Sequence, residues 1–458
     1  MAVPKIDQQL GIEVYVTKTS GIGGAIRRAA EDFVVEEVLV DGSKATIEKT
    51  ASKPPLGATA LRQRFLLSVL VKRNWDTFIA VKNVANELGI DPPRIQIAGI
   101  KDAKAITAQH VTIDGVSIED ASKVHYKDVE LRPVGYFHEQ LSAYFLLGNN
   151  FNINIRAISH PKATVEKRIT KTISEIVKVG GIPNFYGHQR FGTTRAITHL
   201  VGKAMVQGDL KEAAMLFLAK PSPDEHPKSR EARTELQDSQ DFKQALQNFP
   251  VQLRYERLML SCLVEDPTDF AGAFRRLPLK LRMLMVQAYQ SFLFNRFLSE
   301  RIKSGYSLSK AKVGDYVVSV ERSGLPMVKT GKMVDSVSVK AINELIKAGK
   351  MRVALPIVGV RQKLSQGSVG KIQKQILEAE GVETQNFRID ALPEINGKGE
   401  LRAVVSPVRS FTVGTVSADV DDAKKRQANF EFMLLRGSYA TVLLREIMKT
   451  RNPITAGF

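Results

Sequence analysis

From Phe151 to Arg156 apolar and polar residues alternate without a break, with Phe151, Ile153 and Ile155 set against Asn152, Asn154 and Arg156. A period of two sends successive side chains to opposite faces, so the segment reads as a strand with one buried face. A helix follows, because Val165, Ile169, Ile173, Ile176 and Val177 fall on one side and Gly180-Gly181 stands at its C-terminal end. Upstream, Phe65-Leu-Leu-Ser-Val-Leu-Val71 reads as a buried strand. Asn74 or Asp76 can cap the next helix, whose stripe is Phe78, Val81, Ala85 and Leu88 and whose end is Gly89. Strands and helices thus alternate through the first 200 residues or so. The full 458 residues exceed what one core organises, at roughly 100–200 residues per domain, and predict two or three domains.

Charge narrows the partner. The chain has 66 Lys+Arg against 48 Asp+Glu, a formal +18 and a pI near 9.7. Such a balance attracts phosphate backbones through counterion release, whatever their sequence. A membrane surface could use the same charge, but no run of about 18 apolar residues, lipidation motif or signal-peptide pattern appears, and a cytoplasmic protein is expected. Cys262 is the only cysteine, so one chain can build no disulfide framework and no Cys-based zinc site. That removes the zinc-dependent base deaminases. The seven histidines are scattered, none pairs at ligand spacing, and no metal site is expected.

Beyond about Thr194 the pattern changes. Pro221 to Arg230 is charged and proline-rich and reads as a loop or hinge. A long helix from about Leu279 to Lys303 carries Leu281, Leu284, Met285, Ala288 and Phe292 as core residues. Gly314–Val320 and Met351–Ile357 read as strands separated by a short helix near Ala341–Ala348, and Val38 to Lys53 as a flexible polar excursion. Near the end, strand Phe430–Leu435 runs through the turn Arg436-Gly437 into a helix capped by Ser438 and continuing through Met448. Strand, glycine turn and helix N-terminus together let a side chain or a phosphate approach the backbone closely.

Three segments hold candidate chemistry. In Ala98-Gly-Ile-Lys-Asp-Ala-Lys-Ala-Ile-Thr-Ala-Gln109 one acid, Asp102, stands between Lys101 and Lys104, after the β-run of Ile95, Ile97 and Ala98 and before the alternation from Ile106 to Ile113. On a tight hairpin turn it could serve as a nucleophile. Asp is also a common turn residue that bonds its own backbone, and from this segment alone that plainer role comes first. Asn184-Phe-Tyr-Gly-His-Gln-Arg-Phe-Gly192 packs three aromatics, an amide pair and an arginine into nine residues. Such residues can stack on an unpaired base, read its edge and hold its phosphate. They can equally form a core turn in which Arg190 makes a structural salt bridge. The glycines Gly21, Gly23 and Gly24 lack the context of a nucleotide fingerprint and read as turn residues.

Taken together, these segments resemble, in chain order, the TruD family of transfer-RNA pseudouridine synthases. The matching residues are Glu31-Asp-Phe33 with Glu36; Lys72 with Asn74 and Thr77; and Gly99-Ile-Lys-Asp102 with Ala105, Thr107 and Gln109. They continue with Asn184-Phe-Tyr-Gly187, Gln189-Arg-Phe-Gly192, Gly437-Ser-Tyr-Ala-Thr441 and Leu444-Arg-Glu446. The resemblance implies an α+β fold: a pseudouridine-synthase catalytic domain on a largely antiparallel mixed sheet, interrupted by a large α/β insertion domain. The expected division is catalytic domain over 1–193, insertion over 194–400 and catalytic domain again over 401–458.

By the same resemblance Asp102 is the catalytic aspartate, and Phe33, Asn184 and Tyr439 contact the target uridine. Tyr186 stands where bacterial relatives carry Phe in Asn-Tyr-Phe-Gly, and Tyr439 where Phe is frequent; each keeps a stacking face and adds a hydroxyl. Lys101 is expected to orient Asp102 electrostatically. Arg27, Arg28, Lys72, Arg73 and Arg190 are candidates for phosphate contacts or ordinary solvated charges.

The implied substrate is transfer RNA, at uridine 13 of the D-arm, with other RNAs open. The implied enzyme is a monomer without cofactor or protein partner. Two other readings stand beside it. One is a non-catalytic RNA-binding or RNA-chaperone protein, against which an intact Asp102 counts. The other is a glycoside or nucleoside hydrolase, which needs a second carboxylate that the sequence does not identify.

Overall fold

The computed structural model describes residues 2–49, 54–192 and 194–458. The chain divides into two compact units. A sheet unit comprises Thr17–Ile182, Glu321–Leu325 and Ser406–Phe458, and a helical unit comprises Met1–Val16, Pro183–Val320 and Pro326–Val405. The divisions fall at 16/17, 182/183, 320/321, 325/326 and 405/406, where the sequence places them at 193/194 and 400/401, and the first sixteen residues group with the helical unit.

The sheet unit is built on ten strands: β1 (Phe33–Leu39), β2 (Phe65–Arg73), β3 (Ile95–Ile97), β4 (Ile106–Asp114), β5 (His125–Tyr126), β6 (Val129–Phe137), β7 (Leu146–Ile158), β8 (Val408–Val413), β9 (Ser417–Ala418) and β10 (Arg426–Leu435). Their order is β8-β10-β7-β1-β4-β2-β6-β5, with β9 on β10 and β3 on β4. Only β1 and β4 run parallel among the registered pairs, Val34 opposite Ile106; the others are antiparallel. The fold is therefore the expected α+β type on a largely antiparallel mixed sheet.

The alternation in β7 is explained by its neighbours. Phe151 lies opposite Phe432 and Ile153 opposite Phe430, and the Phe151 and Phe432 rings stack at 5.3 Å. On the other face Asn429 donates to Asn152 and Asn154, and Asn152 donates to Glu431. Polar cross-strand pairs fill one face and aromatic pairs the other.

Helix α1 (Thr77–Glu87) is capped by Asp76, whose carboxylate accepts from the Phe78 and Ile79 amides. Its buried face is Thr77, Ala80, Val81, Val84 and Ala85, and Phe78, read as core, is exposed. Helix α2 (Lys162–Val179) buries Val165, Ile169 and Ile176 and ends at Gly180, φ +89°, but turns Val177 outward. In each case the residue at the margin of the apolar stripe faces solvent. Helix α3 (Ala440–Met448) begins one turn residue later than read: Tyr439 occupies the cap position, and the Ser438 hydroxyl instead meets that of Ser406 at 2.6 Å.

In the helical unit the helix Leu279–Lys303 has the expected bounds and buries Met285, Ala288 and Phe292. A four-stranded sheet contains Tyr316–Val320 and Met351–Ile357, as read, flanked by Pro326–Met333 and Glu400–Ala403. The stretch read as a loop over Pro221–Arg230 becomes helical at Pro227, where proline suits a first turn that needs no amide donor. Of the polar stretch Val38 to Lys53, residues 50–53 lie outside the described residues; within it Ala45 donates its amide to the Glu37 carbonyl. No helix among the described residues is long and apolar enough to cross a membrane.

Candidate active site

Asp102 lies in the eight residues between β3 and β4, a longer connection than the tight turn expected, with Ile97 opposite Val111 at its base. The sheet beneath holds this loop through side chains that register places on one face. Residues directly opposite each other in neighbouring strands share a face. Phe33 pairs with Ile153, Val35 with Thr107, Lys72 with Thr107 and Leu70 with Gln109. By alternation, Phe33, Glu37, Lys72 and Gln109 therefore project together. Phe33 and these three polar residues are all buried.

Each polar member grips the loop. Gln109 Nε2 donates to the Gly99 carbonyl at 3.1 Å. Lys72 Nζ donates to the Asp102 carbonyl at 2.7 Å. Glu37 accepts from Lys101 Nζ at 2.6 Å and from the His110 amide at 3.0 Å. The flank is tied too: Thr77, at the start of α1, exchanges hydrogen bonds with the Lys101 main chain, and Asn74 donates its amide to the Ala105 carbonyl. Asn74 takes φ +54°, a left-handed conformation that asparagine tolerates. The loop is thus over-determined on its inner side, while Ile100 points to solvent and the Asp102 side chain is 31% exposed.

The carboxylate itself meets Arg27. Arg27 Nη2 donates to Asp102 Oδ1 at 2.7 Å, and Nη1 donates to the Gly457 carbonyl at 2.7 Å. The guanidinium also lies over the Phe33 ring, 3.9 Å from its centroid, a cation–π contact. Burial pulls the Arg27 guanidinium below its ordinary value, against the opposing pull of Asp102. Phe33 is therefore covered by Arg27 on the charged side and meets Phe151 edge-on at 6.2 Å.

Burial also lowers the Lys72 ammonium to about 8, with Asp102 and Asp76 acting in the opposite sense. Glu37, which burial alone would push up, is held below its ordinary value by Lys101 and His110.

Several expectations change on this geometry. Lys101 faces Glu37, not the Asp102 carboxylate, so its part is to anchor the loop. Lys72 is wholly buried and Arg27 is engaged by Asp102, so neither has the free, solvated head of a phosphate contact, while Arg73 pairs with Glu31 at the surface and stays 42% exposed. Arg28 is exposed and keeps that role open. Tyr439, half-buried at the start of α3, belongs to this same unit.

The helical unit holds the rest of the sequence-predicted set. Asn184 donates from Nδ2 to the Ala403 carbonyl at 3.0 Å and accepts at Oδ1 from Arg402 at 2.8 Å. The same guanidinium lies 4.0 Å from the Tyr186 ring centroid, and Phe294 meets that ring edge-on at 5.7 Å. Arg190 donates to Ser291 and Gln287 of the long helix and, among the described residues, pairs with no carboxylate, so it is neither a free cation nor the salt bridge that the sequence offered as the alternative.

Sequence reasoning assigned no role to Glu37, Gln109 or Arg402. For the first two the signal was faint: they stand in β1 and β4 beside other polar residues such as Glu36 and His110, so that pattern alone did not mark them as the buried ones. Among the described residues no group of three or more His, Cys, Asp or Glu is placed to hold a metal ion.

Residues 9–447 match the family model for tRNA pseudouridine synthase D (TruD). A chain from Methanosarcina acetivorans, described as "Probable tRNA pseudouridine synthase D", is 38% identical over 450 residues, covering 98% of both chains. One from Pyrococcus abyssi with the same description is 34% identical, covering 95% of this chain and 98% of its own. A crystal structure from Methanosarcina mazei assigned to TruD superposes with a TM-score of 0.82 at 36% identity, covering 98% of this chain and 99% of that one.

Proposed function

Since the chain belongs to the TruD family of tRNA pseudouridine synthases, we propose that it isomerises uridine 13 in the D-arm of transfer RNA, with Asp102 as the catalytic carboxylate. The observation that carries this reading is the Asp102 loop: an acid held by its main chain from beneath, with its carboxylate partly open and paired to one guanidinium. The reaction breaks the C1′–N1 bond, turns the uracil and joins C5 to C1′; the C5 proton is lost to solvent and N1 takes one up, so the product is an isomer of the substrate. Asp102 can assist by attacking C1′ or by taking the C2′ proton; both need an anionic oxygen fixed at the ribose, which a rigid loop supplies.

The uridine must leave its stack to reach that oxygen, at a cost of a few kcal/mol that aromatic contacts offset. Tyr439, and Phe33 once Arg27 leaves its face, are the aromatic contacts proposed in the sheet unit. Asn184 and Tyr186, in the helical unit, are proposed as substrate-binding residues. Arg28 is proposed to contact phosphate. The enzyme on this reading acts as a cytoplasmic monomer.

The test is to incubate the purified protein with transfer-RNA transcripts and map pseudouridine by carbodiimide adducts that stop reverse transcription. Conversion confined to position 13 is expected. Conversion elsewhere would move the target, and tight binding without conversion would favour the RNA-chaperone reading.

A further inference from the structure

Two carbonyls of the Asp102 loop are gripped from the same sheet face by different means. Gln109, a neutral amide, suffices for Gly99, whereas a lysine serves Asp102. Burying an ammonium is much more demanding than burying an amide. Lys72 has no carboxylate within ion-pair distance among the described residues, and its cross-strand neighbours Thr107 and Val129 carry no charge. What a lysine adds here beyond a hydrogen bond is therefore a positive charge directed at the residue that bears the carboxylate.

We propose that Lys72 is a positioning residue for the isomerisation: its ammonium, acting through the Asp102 main chain from within the sheet, fixes the carboxylate and supplies counter-charge independently of Arg27. This rests on Asp102 being the catalytic acid.

The charged groups near Lys72 are Asp102 and Lys101 on the loop and Asp76 at the start of α1. Because the folded value is about 8 and the ordinary one 10.5, raising the pH between them discharges Lys72 in the folded protein while the unfolded chain keeps its proton. The sign follows: over that window the unfolded state binds more protons, so this group makes stability rise with pH. A merely structural lysine would give only that rise. A positioning lysine gives a falling rate in the same window.

The experiment compares wild type, Lys72→Met and Lys72→Arg by single-turnover tritium release from transfer RNA tritiated at uridine C5, with transfer-RNA affinity and thermal unfolding measured in parallel from pH 6.5 to 9.5. Lys72→Met is expected to slow release by about 10–100-fold, the scale of a misplaced catalytic group, with affinity changed less than about threefold. Wild type is expected to lose rate above about pH 8 without losing stability, and Lys72→Arg to keep its rate through that pH. An unchanged rate in Lys72→Met, or the same alkaline fall in Lys72→Arg, would overturn the proposal. Should Lys72→Met fail to fold, the Lys72→Arg profile decides alone. Failure of the underlying reading looks different, because wild type would then release no tritium or Asp102→Asn would release as much.

Discussion

In the loop from Ala98 to Ala105, Lys72, Gln109 and Thr77 hold main-chain atoms, Glu37 holds the Lys101 ammonium, and the one acidic side chain is left partly open. In the segment from Asn184 to Gly192 the side chains themselves are engaged: Asn184 by Arg402 and Ala403, His188 by Asp7 at 2.8 Å, Arg190 by Ser291 and Gln287, with Phe185 and Phe191 buried. Both segments are dense in chemically able residues, and by sequence alone the Asn184 segment has at least as strong a claim to function as the Asp102 loop. Density of polar and aromatic residues thus marks a well-determined backbone as readily as it marks reactivity. What separates the two is the state of the candidate side chain: the Asp102 carboxylate is partly exposed with one guanidinium on it, whereas both ends of the Asn184 amide are held.

That contrast can be broken by removing the grip in each region. The largest effect on stability is expected beneath the Asp102 loop. Lys101→Met leaves Glu37 buried without its ammonium, and breaking a buried pair in this way costs about 3–5 kcal/mol, to be read from urea unfolding at neutral pH. The same change alters the acid response. Glu37 has a folded value below its ordinary 4.5, so its contribution is fully present above that pH and is lost as the pH falls through the lower folded value. Wild type should therefore show an acid-labile increment that Lys101→Met lacks. Equal acid profiles would show that Glu37 does not depend on Lys101.

A smaller effect is expected in the Asn184 segment. Arg402→Ala removes the donors to the Asn184 main chain and side chain and the cation over Tyr186, for about 1–3 kcal/mol. Steady-state assays should show KM for transfer RNA rising more than kcat falls; a fall confined to kcat would mean that this segment, too, acts on the reacting atoms. The smallest effect belongs to Tyr186→Phe, which keeps the ring between Arg402 and Phe294. Single-turnover rates are expected to stay within about twofold, the scale of an ordinary ±0.5 kcal/mol substitution.

Long, strongly periodic elements were legible in the sequence. The helix Leu279–Lys303 has the bounds its pattern gave, because twenty-five residues of helical spacing leave little freedom. Strand Pro326–Met333 was not legible: it lies at the edge of its sheet, half-exposed, with Lys329, Thr330 and Lys332 hiding any alternation. Such residues blunt an edge and so also blunt its signal. At the candidate site the position of Asp102 between two strands could be read, and its partner could not. Arg27 is 75 residues away in sequence, and a pairing of that separation leaves no local pattern. Lys101, the adjacent cation, was the natural choice, but its side chain is buried against Glu37 while that of Asp102 stays partly exposed.

The most direct test of the central claim is tritium release from transfer RNA labelled at uridine C5, comparing wild type with Asp102→Asn under conditions where both bind the RNA and unfold at similar temperatures. Wild type is expected to release tritium and the variant to be slower by roughly 10³-fold or more, as when a reacting group is removed. Release by Asp102→Asn at a rate near that of wild type would contradict that claim.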